Sequence, residues 1–147
     1  MAIDIKIINL NERNPIPKYA NLFDSGVDAY ANTFLDIVIG IGRSVHVPLG
    51  IKVAGVEGYE IQVRPRSGLA LKEGITVLNS PGTIDAGYRG ELGVILINHG
   101  TRPFRVEPGM KVCQLVLQKV EKINFIQVDR FEDTTNRGAA GYGSTGV

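Results

Sequence analysis

Two stretches in the first half of the chain combine charged side chains with glycine in a way that suits an anion and its counter-ion. The first, Asp24–Asp28, reads D-S-G-V-D, and its carboxylates can hold a hard cation directly or through water. The second contains Arg66, Ser67 and Gly68, which offer a guanidinium, a hydroxyl and backbone N–H groups to one anion. Each also has a structural interpretation, a turn for the acids and a helix cap with a solvated arginine for the second.

A third stretch, Asn79–Glu91, surrounds one acid with turn residues. Asp85 lies between a Pro-Gly and an Ala-Gly pair, which predicts an exposed carboxylate at a β-hairpin. Tyr88 and Asn79 add a flat ring and an amide, so the stretch predicts a pocket for a base and a sugar, with Asp85 available to activate a water molecule. The structural alternative is an ordinary turn aspartate.

A fourth stretch places an amide inside an apolar strand. Gln114 lies within V-C-Q-L-V-L, and a buried amide left without a partner costs about 1–3 kcal/mol. A core hydrogen bond, a ligand or an ordered water would each satisfy it. The sequence therefore marks Gln114 as a candidate without choosing among these partners.

The segment 131–147 is rich in glycine and lacks an apolar period, which is typical of a flexible tail. It can also order over a ligand, because glycine lets backbone N–H groups approach an anion. Arg137 would add a guanidinium, Ser144 and Thr145 hydroxyls, and Tyr142 a flat face. The G-S-T-G run lacks the lysine of a Walker A motif, which excludes a P-loop NTPase.

Composition limits the function classes. The chain has 147 residues, 44% of them hydrophobic and 21% charged, as expected for one globular domain and not for a disordered chain. The net charge of +1 gives no support for binding nucleic acid or a membrane surface over a broad face. The single cysteine, Cys113, excludes an intrachain disulfide framework and a cysteine-based zinc site. The N-terminus does not resemble a signal peptide, so a cytoplasmic location is expected.

The elements that must position these residues are predicted to be strands. Apolar, β-branched stretches at 3–8, 34–39, 44–49, 59–65, 92–97 and 112–117 are separated by Gly and Pro. The one helical turn is predicted at Ser67–Gly74, with Ser67 as a possible cap and Gly74 as the stop. We therefore expect an all-β fold, a jelly-roll-like sandwich or barrel with one short helix, over residues 1–130. Residues 131–147 form a flexible C-terminal arm in this interpretation.

Taken together, these stretches resemble the five ordered motifs of the trimeric dUTPases, the deoxyuridine 5'-triphosphate nucleotidohydrolases. The motifs correspond to residues 19–28, 65–70, 82–91, 108–115 and 137–146, and so to nearly the whole chain. Phe23, Asp24 and Ala29 differ from the residues usual in the first motif, and Tyr142 replaces the usual Phe in the fifth. A Tyr stacks as well as a Phe does.

The resemblance implies an activity and an assembly. Such a protein hydrolyses dUTP to dUMP and pyrophosphate with Mg²⁺, which limits uracil incorporation into DNA and supplies dUMP for thymidylate synthesis. It forms a homotrimer with three sites at subunit contacts. Each site draws motifs from different chains, and the C-terminal arm closes over the nucleotide. The sequence does not identify a protein inhibitor.

The resemblance also implies roles for individual residues. Asp85 orients and deprotonates the water that attacks the α-phosphorus, and Tyr88 packs under the deoxyribose and excludes a 2′-hydroxyl. The uracil edge is read by Asn79 and by the backbone of Thr83, Ile84 and Asp85, and Tyr142 covers the uracil face. Gln114 lies near the α-phosphate, and Asp28 contacts the waters of the magnesium ion. The phosphate oxygens are held by Arg66, Ser67, Gly68, Arg137, Gly143, Ser144 and Thr145.

Three alternative functions explain the sequence less well. A dCTP deaminase has a similar fold but uses a glutamate three residues before the Asn of the strand that follows the third motif. Here that Asn is Asn98 and the position holds Ile95, which cannot transfer protons. A regulatory nucleotide-binding protein of the same fold would not require Asp85. A sandwich without a ligand would leave the convergence of polar residues unexplained.

Overall fold

The computed structural model describes residues 2–132 and 135–141. Within them the chain forms short strands, and the last strand ends at Lys119. The strands are β1 (Lys6–Asn9), β2 (Val27–Tyr30), β3 (Ile37–Ile39), β4 (Ser44–Pro48), β5 (Ile51–Ala54), β6 (Tyr59–Arg64), β7 (Ile75–Val77), β8 (Gly82–Ile84), β9 (Gly93–Asn98), β10 (Phe104–Val106) and β11 (Lys111–Lys119). The helix α1 (Ser67–Glu73) lies between β6 and β7.

The strands pair into separate sheets that pack as a sandwich. The largest sheet has the order β2-β11-β6-β8, and a second has the order β4-β9-β7. Two strand pairs, β1-β5 and β10-β3, complete the arrangement, which in the described part of the chain is not a closed barrel. The prediction of an all-β sandwich with one short helix is therefore confirmed. No helix within residues 2–132 and 135–141 is both long and apolar enough to cross a membrane.

The core lies between the sheets and follows the two-residue period of the strands. In β9, Val94, Leu96 and Asn98 are buried while the residues between them are more exposed. The period breaks in β11, where Val112 and Cys113 are both buried because the pairing with β2 shifts register between Lys111 and Cys113. Burial raises the pKa of the Cys113 thiol to about 12, so this cysteine stays neutral and acts as a small core residue.

Asn98 is the most deeply buried polar side chain of the core, and its hydrogen bonds are complete. Its amide nitrogen donates to the carbonyl oxygens of Ile39 (2.9 Å) and Arg102 (2.8 Å). Its amide oxygen accepts from the backbone N–H of Gly100 at 2.8 Å. Asn98 thus joins β9 to β3 and to the turn after β9.

The helix α1 begins at Ser67, one residue earlier than it would if Ser67 were the N-cap. Arg66, with extended backbone angles, is the N-cap, and Ser67 is already helical, so the prediction of Ser67 as the cap is wrong. The predicted stop is confirmed, because Gly74 adopts the left-handed conformation (φ 67°) and its N–H donates to Ala70 O. A Cβ at Gly74 would also lie 2.5 Å from the backbone nitrogen of Gly100.

Candidate functional site

Three polar side chains lie side by side on the outer face of the largest sheet. The register of β2-β11-β6 pairs Gln114 with Asp28 on one side and with Arg64 on the other. Paired residues point to the same face of a sheet, so all three side chains face away from the core. Their chain neighbours Ala29 and Val63 point inward and are buried. The strand period thus explains why Gln114 is only half-buried and faces a polar row.

This row opens into a cavity of about 590 Å³, the basic cavity. The cavity contains three residues predicted from the sequence, Asp28, Arg66 and Gln114, which come from β2, the β6–α1 connection and β11. Positively charged side chains that the sequence analysis did not single out also line it, namely Lys18, Arg64 and Lys111. The cavity therefore suits an anionic ligand.

Asp28 is held between two cations in this cavity. Arg66 Nε donates to Asp28 Oδ1 at 3.0 Å, and Lys111 Nζ lies 2.9 Å from Asp28 Oδ2. Burial alone would raise the pKa of Asp28, but the hydrogen bond from Lys111 and the charges of Arg66 and Lys111 outweigh it. The net pKa of Asp28 lies below its ordinary value of 3.8. Asp28 is therefore ionised at neutral pH, and one net positive charge remains in the group.

The remaining predicted phosphate ligands are placed differently. Ser67 and Gly68 are exposed in the first turn of α1, beside Arg66 but not in the lining of the basic cavity. Arg137 is exposed, and its Nε donates to the carbonyl oxygen of Ala140 at 3.0 Å. Four further predicted ligands, Tyr142, Gly143, Ser144 and Thr145, lie outside the described residues.

A second cavity, of about 270 Å³, lies beside β8 and is called the β8 cavity. It is lined by the three residues that the third stretch predicted for the base, the sugar and the water, namely Asn79, Asp85 and Tyr88. It is also lined by Thr83 and Ile84, which the resemblance assigned to the uracil edge. His46, Val63, Glu91 and Ile95 complete much of its wall. The prediction that these five residues share one pocket is consistent with this arrangement.

Two glycines let the side chains of the β8 cavity approach the backbone. A Cβ at Gly82 would lie 3.2 Å from Val63 Cβ and 3.4 Å from Asn79 Nδ2, so the glycine keeps room for the Asn79 amide beside β8. A Cβ at Gly90 would collide with the Tyr88 ring. The Tyr88 hydroxyl donates to the carbonyl oxygen of Glu91 at 3.0 Å, which fixes the ring against this loop.

Glu91 fastens the loop after Asp85 to the turn between β4 and β5. Its Oε1 accepts from the backbone N–H of Gly50 at 2.9 Å and from Asn32 Nδ2 at 3.1 Å. A Cβ at Gly50 would lie 2.8 Å from Asn32 Cγ, and Gly50 has a φ of +68°, so the turn requires glycine. Glu91 is thus a structural support of the β8 cavity.

Asp85 is exposed, as predicted, but the predicted hairpin is wrong. Asp85 directly follows β8, which pairs with β6, whereas the next strand, β9, belongs to the other large sheet. The chain therefore crosses between sheets at this point instead of returning beside β8. A local turn, in which Tyr88 N–H donates to Asp85 O at 3.0 Å, makes the corner. Gly and Pro signal a change of direction equally well in both arrangements.

Lys111 and His46 are among the lining residues that were not predicted from the sequence. Lys111 lies in the fourth motif, 108–115, three residues before Gln114. His46 lies on β4, diagonally across from Gly93 on β9, and packs over it, since a Cβ there would collide with the imidazole. A glycine inside a predicted strand, here Gly93 within 92–97, indicates a close approach by a neighbouring group, but the sequence does not show that this group is His46.

The two cavities are lined by different parts of the largest sheet. The β8 cavity lies at the edge strand β8, and the basic cavity lies over the polar row of β2, β11 and β6. The two cavities share no lining residue, although Val63 of one and Arg64 of the other are neighbours on β6.

A divalent cation fits the basic cavity only if the ligand provides most of its coordination. In residues 2–132 and 135–141, no three His, Cys, Asp or Glu side chains are grouped as a metal site. Asp24 also lines the basic cavity, but its Oδ2 accepts from Asn21 N at 2.8 Å. Mg²⁺ often keeps several waters and binds one or two carboxylates together with substrate phosphates. Asp28 is placed for such an arrangement.

Comparison with known proteins identifies the family. A sequence model of the dUTPase family matches residues 12–146. The chain is 50% identical over 145 residues to the deoxyuridine 5'-triphosphate nucleotidohydrolase of Crocosphaera subtropica, covering 99% of this chain and 100% of that protein. It is 48% identical over 142 residues to the protein of the same name from Clostridium tetani, covering 97% and 96%.

Solved structures agree at the level of the fold. The dUTPase of Staphylococcus bacteriophage 80alpha, determined with dUPNHPP, superposes with a TM-score of 0.87 at 24% identity. The match covers 99% of this chain and 100% of that one. With the family match and relatives that share about half of their residues over nearly the full length, the chain belongs to the dUTPase family.

Proposed function

We propose that this chain hydrolyses dUTP to dUMP and pyrophosphate, with Asp85 as the general base. The names of the curated relatives describe a nucleotidohydrolase that acts on deoxyuridine 5'-triphosphate. The two cavities support the same reaction here, because one offers a polar pocket beside a carboxylate and the other offers cations.

The β8 cavity holds the nucleoside in this proposal. The backbone of Thr83, Ile84 and Asp85 presents donors and acceptors to the uracil edge, and Asn79 adds its amide. A cytosine would leave some of these groups unpaired, a strong basis for discrimination. Tyr88, fixed by its bond to Glu91 O, forms the wall that leaves no room for a 2′-hydroxyl.

The basic cavity holds the phosphates. A triphosphate carries about four negative charges, and charge-assisted hydrogen bonds from Arg66 are roughly twice as strong as neutral ones. Gln114, central in the polar row, is placed to orient the α-phosphate and the attacking water. Asp85 takes the proton of that water during in-line attack on the α-phosphorus, and pyrophosphate leaves. Mg²⁺, held through its waters by Asp28, would neutralise charge on the leaving pyrophosphate.

On this proposal a complete site uses more than one copy of the chain, and the observation that supports it is that the two cavities of one chain share no lining residue. A nucleotide in the β8 cavity of one copy would then meet the basic cavity of another, as in the homotrimer that the family resemblance implies. Apolar side chains after β11 are exposed in the single chain and would be covered on assembly: Ile123, Phe125, Ile126, Val128 and Phe131. The arm 131–147 then closes over the nucleotide.

Subunit mixing tests the shared site. Asp85→Asn protein and protein truncated after Asn136 should each be nearly inactive, since one lacks the base and the other the arm. After subunit exchange, the mixture should recover part of the activity. An inactive mixture, with exchange demonstrated by mass-tagged subunits, would contradict sharing.

Product analysis tests the substrate and the deaminase alternative. With dUTP, UTP, dCTP and dTTP supplied separately with Mg²⁺, we expect pyrophosphate mainly from dUTP. Ile95 lines the β8 cavity where the related deaminase carries its glutamate, so no ammonia is expected from dCTP. Ammonia release would favour the deaminase function instead.

A further inference from the structure

Lys111 is placed in the basic cavity by an irregularity of β11. The pairing of β11 with β2 shifts between Lys111 and Cys113, and such a bulge turns a side chain away from the regular alternation. The shift places Lys111 opposite Tyr30, on the same face of the sheet as Asp28, and its ammonium reaches Asp28 Oδ2 at 2.9 Å. Its carbonyl oxygen accepts from Arg66 Nη1 at 3.2 Å. The bulge therefore brings one residue into contact with both members of the Arg66–Asp28 pair.

The ion pairs leave Asp28 with both carboxylate oxygens occupied. Oδ1 accepts from Arg66 and Oδ2 from Lys111, so a metal-bound water that approaches Oδ2 must displace the lysine ammonium. Lys111 is the more exposed of the two cations, with 45% of its side chain accessible against 31% for Arg66. A lysine ammonium on a flexible stem exchanges partners more readily than a guanidinium held by several bonds.

We propose that Lys111 is a further polyphosphate-binding residue, which neutralises Asp28 in the empty site and turns to the phosphates when a divalent metal takes its place. This inference rests on the proposed function, since it assumes a metal-bound triphosphate in the basic cavity. The exchange leaves each anionic group with a cation beside it. Asp28 always has a cation on Oδ2, and the ammonium passes from one anionic oxygen to another without proton transfer.

The test measures binding of the non-hydrolysable α,β-imido analogue of dUTP by calorimetry, in EDTA and in saturating MgCl₂. Lys111→Met keeps the aliphatic stem and removes the charge. We expect its affinity in EDTA to fall roughly fivefold, the order of one partly exposed charge contact, and to fall clearly less in Mg²⁺. Mg²⁺ should therefore improve binding by a larger factor in the variant than in the wild type. Lys111→Arg, which keeps the charge, should behave like the wild type.

Lys119→Met is the matched control. Lys119 lies on the same strand and pairs with Glu121 at 3.3 Å, with 71% and 87% of the two side chains exposed. Removing the Lys119 charge should leave the affinity for the analogue unchanged both in EDTA and in MgCl₂. Unchanged affinity of Lys111→Met in EDTA, or equal losses in EDTA and Mg²⁺, would overturn the proposal for Lys111. A wild-type protein that binds the analogue in neither buffer would overturn the proposed function itself.

Discussion

The β8 cavity and the basic cavity are built by different physical means. In the β8 cavity, glycines at 82 and 90 let Asn79 and Tyr88 lie against the backbone, and Glu91 fixes the loop through neutral donors. In the basic cavity, opposite charges are paired around Asp28. The first arrangement selects by shape and hydrogen-bond pattern, and the second attracts by charge. The difference suggests that specificity and affinity can be changed separately.

The largest effect should come from removing the Asp85 carboxylate. In Asp85→Asn, kcat for dUTP should fall by about 10²–10⁴, the usual contribution of a general base. Binding of the imido analogue should stay within about twofold, because affinity depends mainly on the charges of the basic cavity. Pyrophosphate release measures kcat, and calorimetry measures binding of the analogue. Asp4→Asn, an exposed acid outside both cavities, serves as control.

Tyr88 should determine sugar selection by its shape. In Tyr88→Ala, kcat/KM for UTP relative to dUTP should rise about tenfold or more, since the wall against a 2′-hydroxyl is lost. Tyr88→Phe keeps the ring and loses only the bond to Glu91 O, so its selectivity should resemble that of the wild type. Equal selectivity of all three proteins would mean that the β8 cavity does not discriminate by shape.

Removing the Glu91 carboxylate should lower the stability of the fold, because this group is a hydrogen-bond acceptor for two neighbouring donors. Glu91→Ala leaves the Gly50 N–H and the Asn32 amide without their acceptor in a half-buried position, at a cost of about 1–2 kcal/mol. The free energy of unfolding from urea titration should fall by this amount. Glu121→Ala, with 87% of its side chain exposed, should change it by less than about 0.5 kcal/mol. A similar decrease in the free energy of unfolding for both variants would contradict the structural role of Glu91.

The smallest effect concerns acid stability of the basic cavity. The folded-state pKa of Asp28 lies below 3.8, so its ion pairs stabilise the fold above that pH and are lost as the pH falls through the folded value. Wild-type Tm should therefore fall more steeply below about pH 4 than the Tm of Asp28→Asn, which has no charge to lose. Parallel curves of Tm against pH would show that the pairing contributes nothing to folding.

The four longest strands were predicted from the sequence, as were parts of the short strands β1 and β3, whereas the other short strands were missed. The cores of β4, β6, β9 and β11 coincide with predicted strands because each carries several β-branched residues in sequence. Strands such as β8 and β10 have three residues each and no local pattern of their own. The strand β8 forms because the longer β6 supplies its hydrogen bonds, and β10 forms by pairing with the equally short β3, so both depend on tertiary contacts.

Local residue types alone determined the candidate chemistry: a carboxylate among turn residues, an Arg-Ser-Gly run, an amide in an apolar strand and a single cysteine. They also determined the strand period and, through the order of the motifs, the family resemblance. Only the tertiary structure decided that Asp28 faces Gln114 and Lys111, because a register between strands distant in sequence depends on the whole sheet. It likewise showed that Asp85 and Asp28 line two separate cavities, because the spatial distance between residues of different strands depends on how the sheets pack.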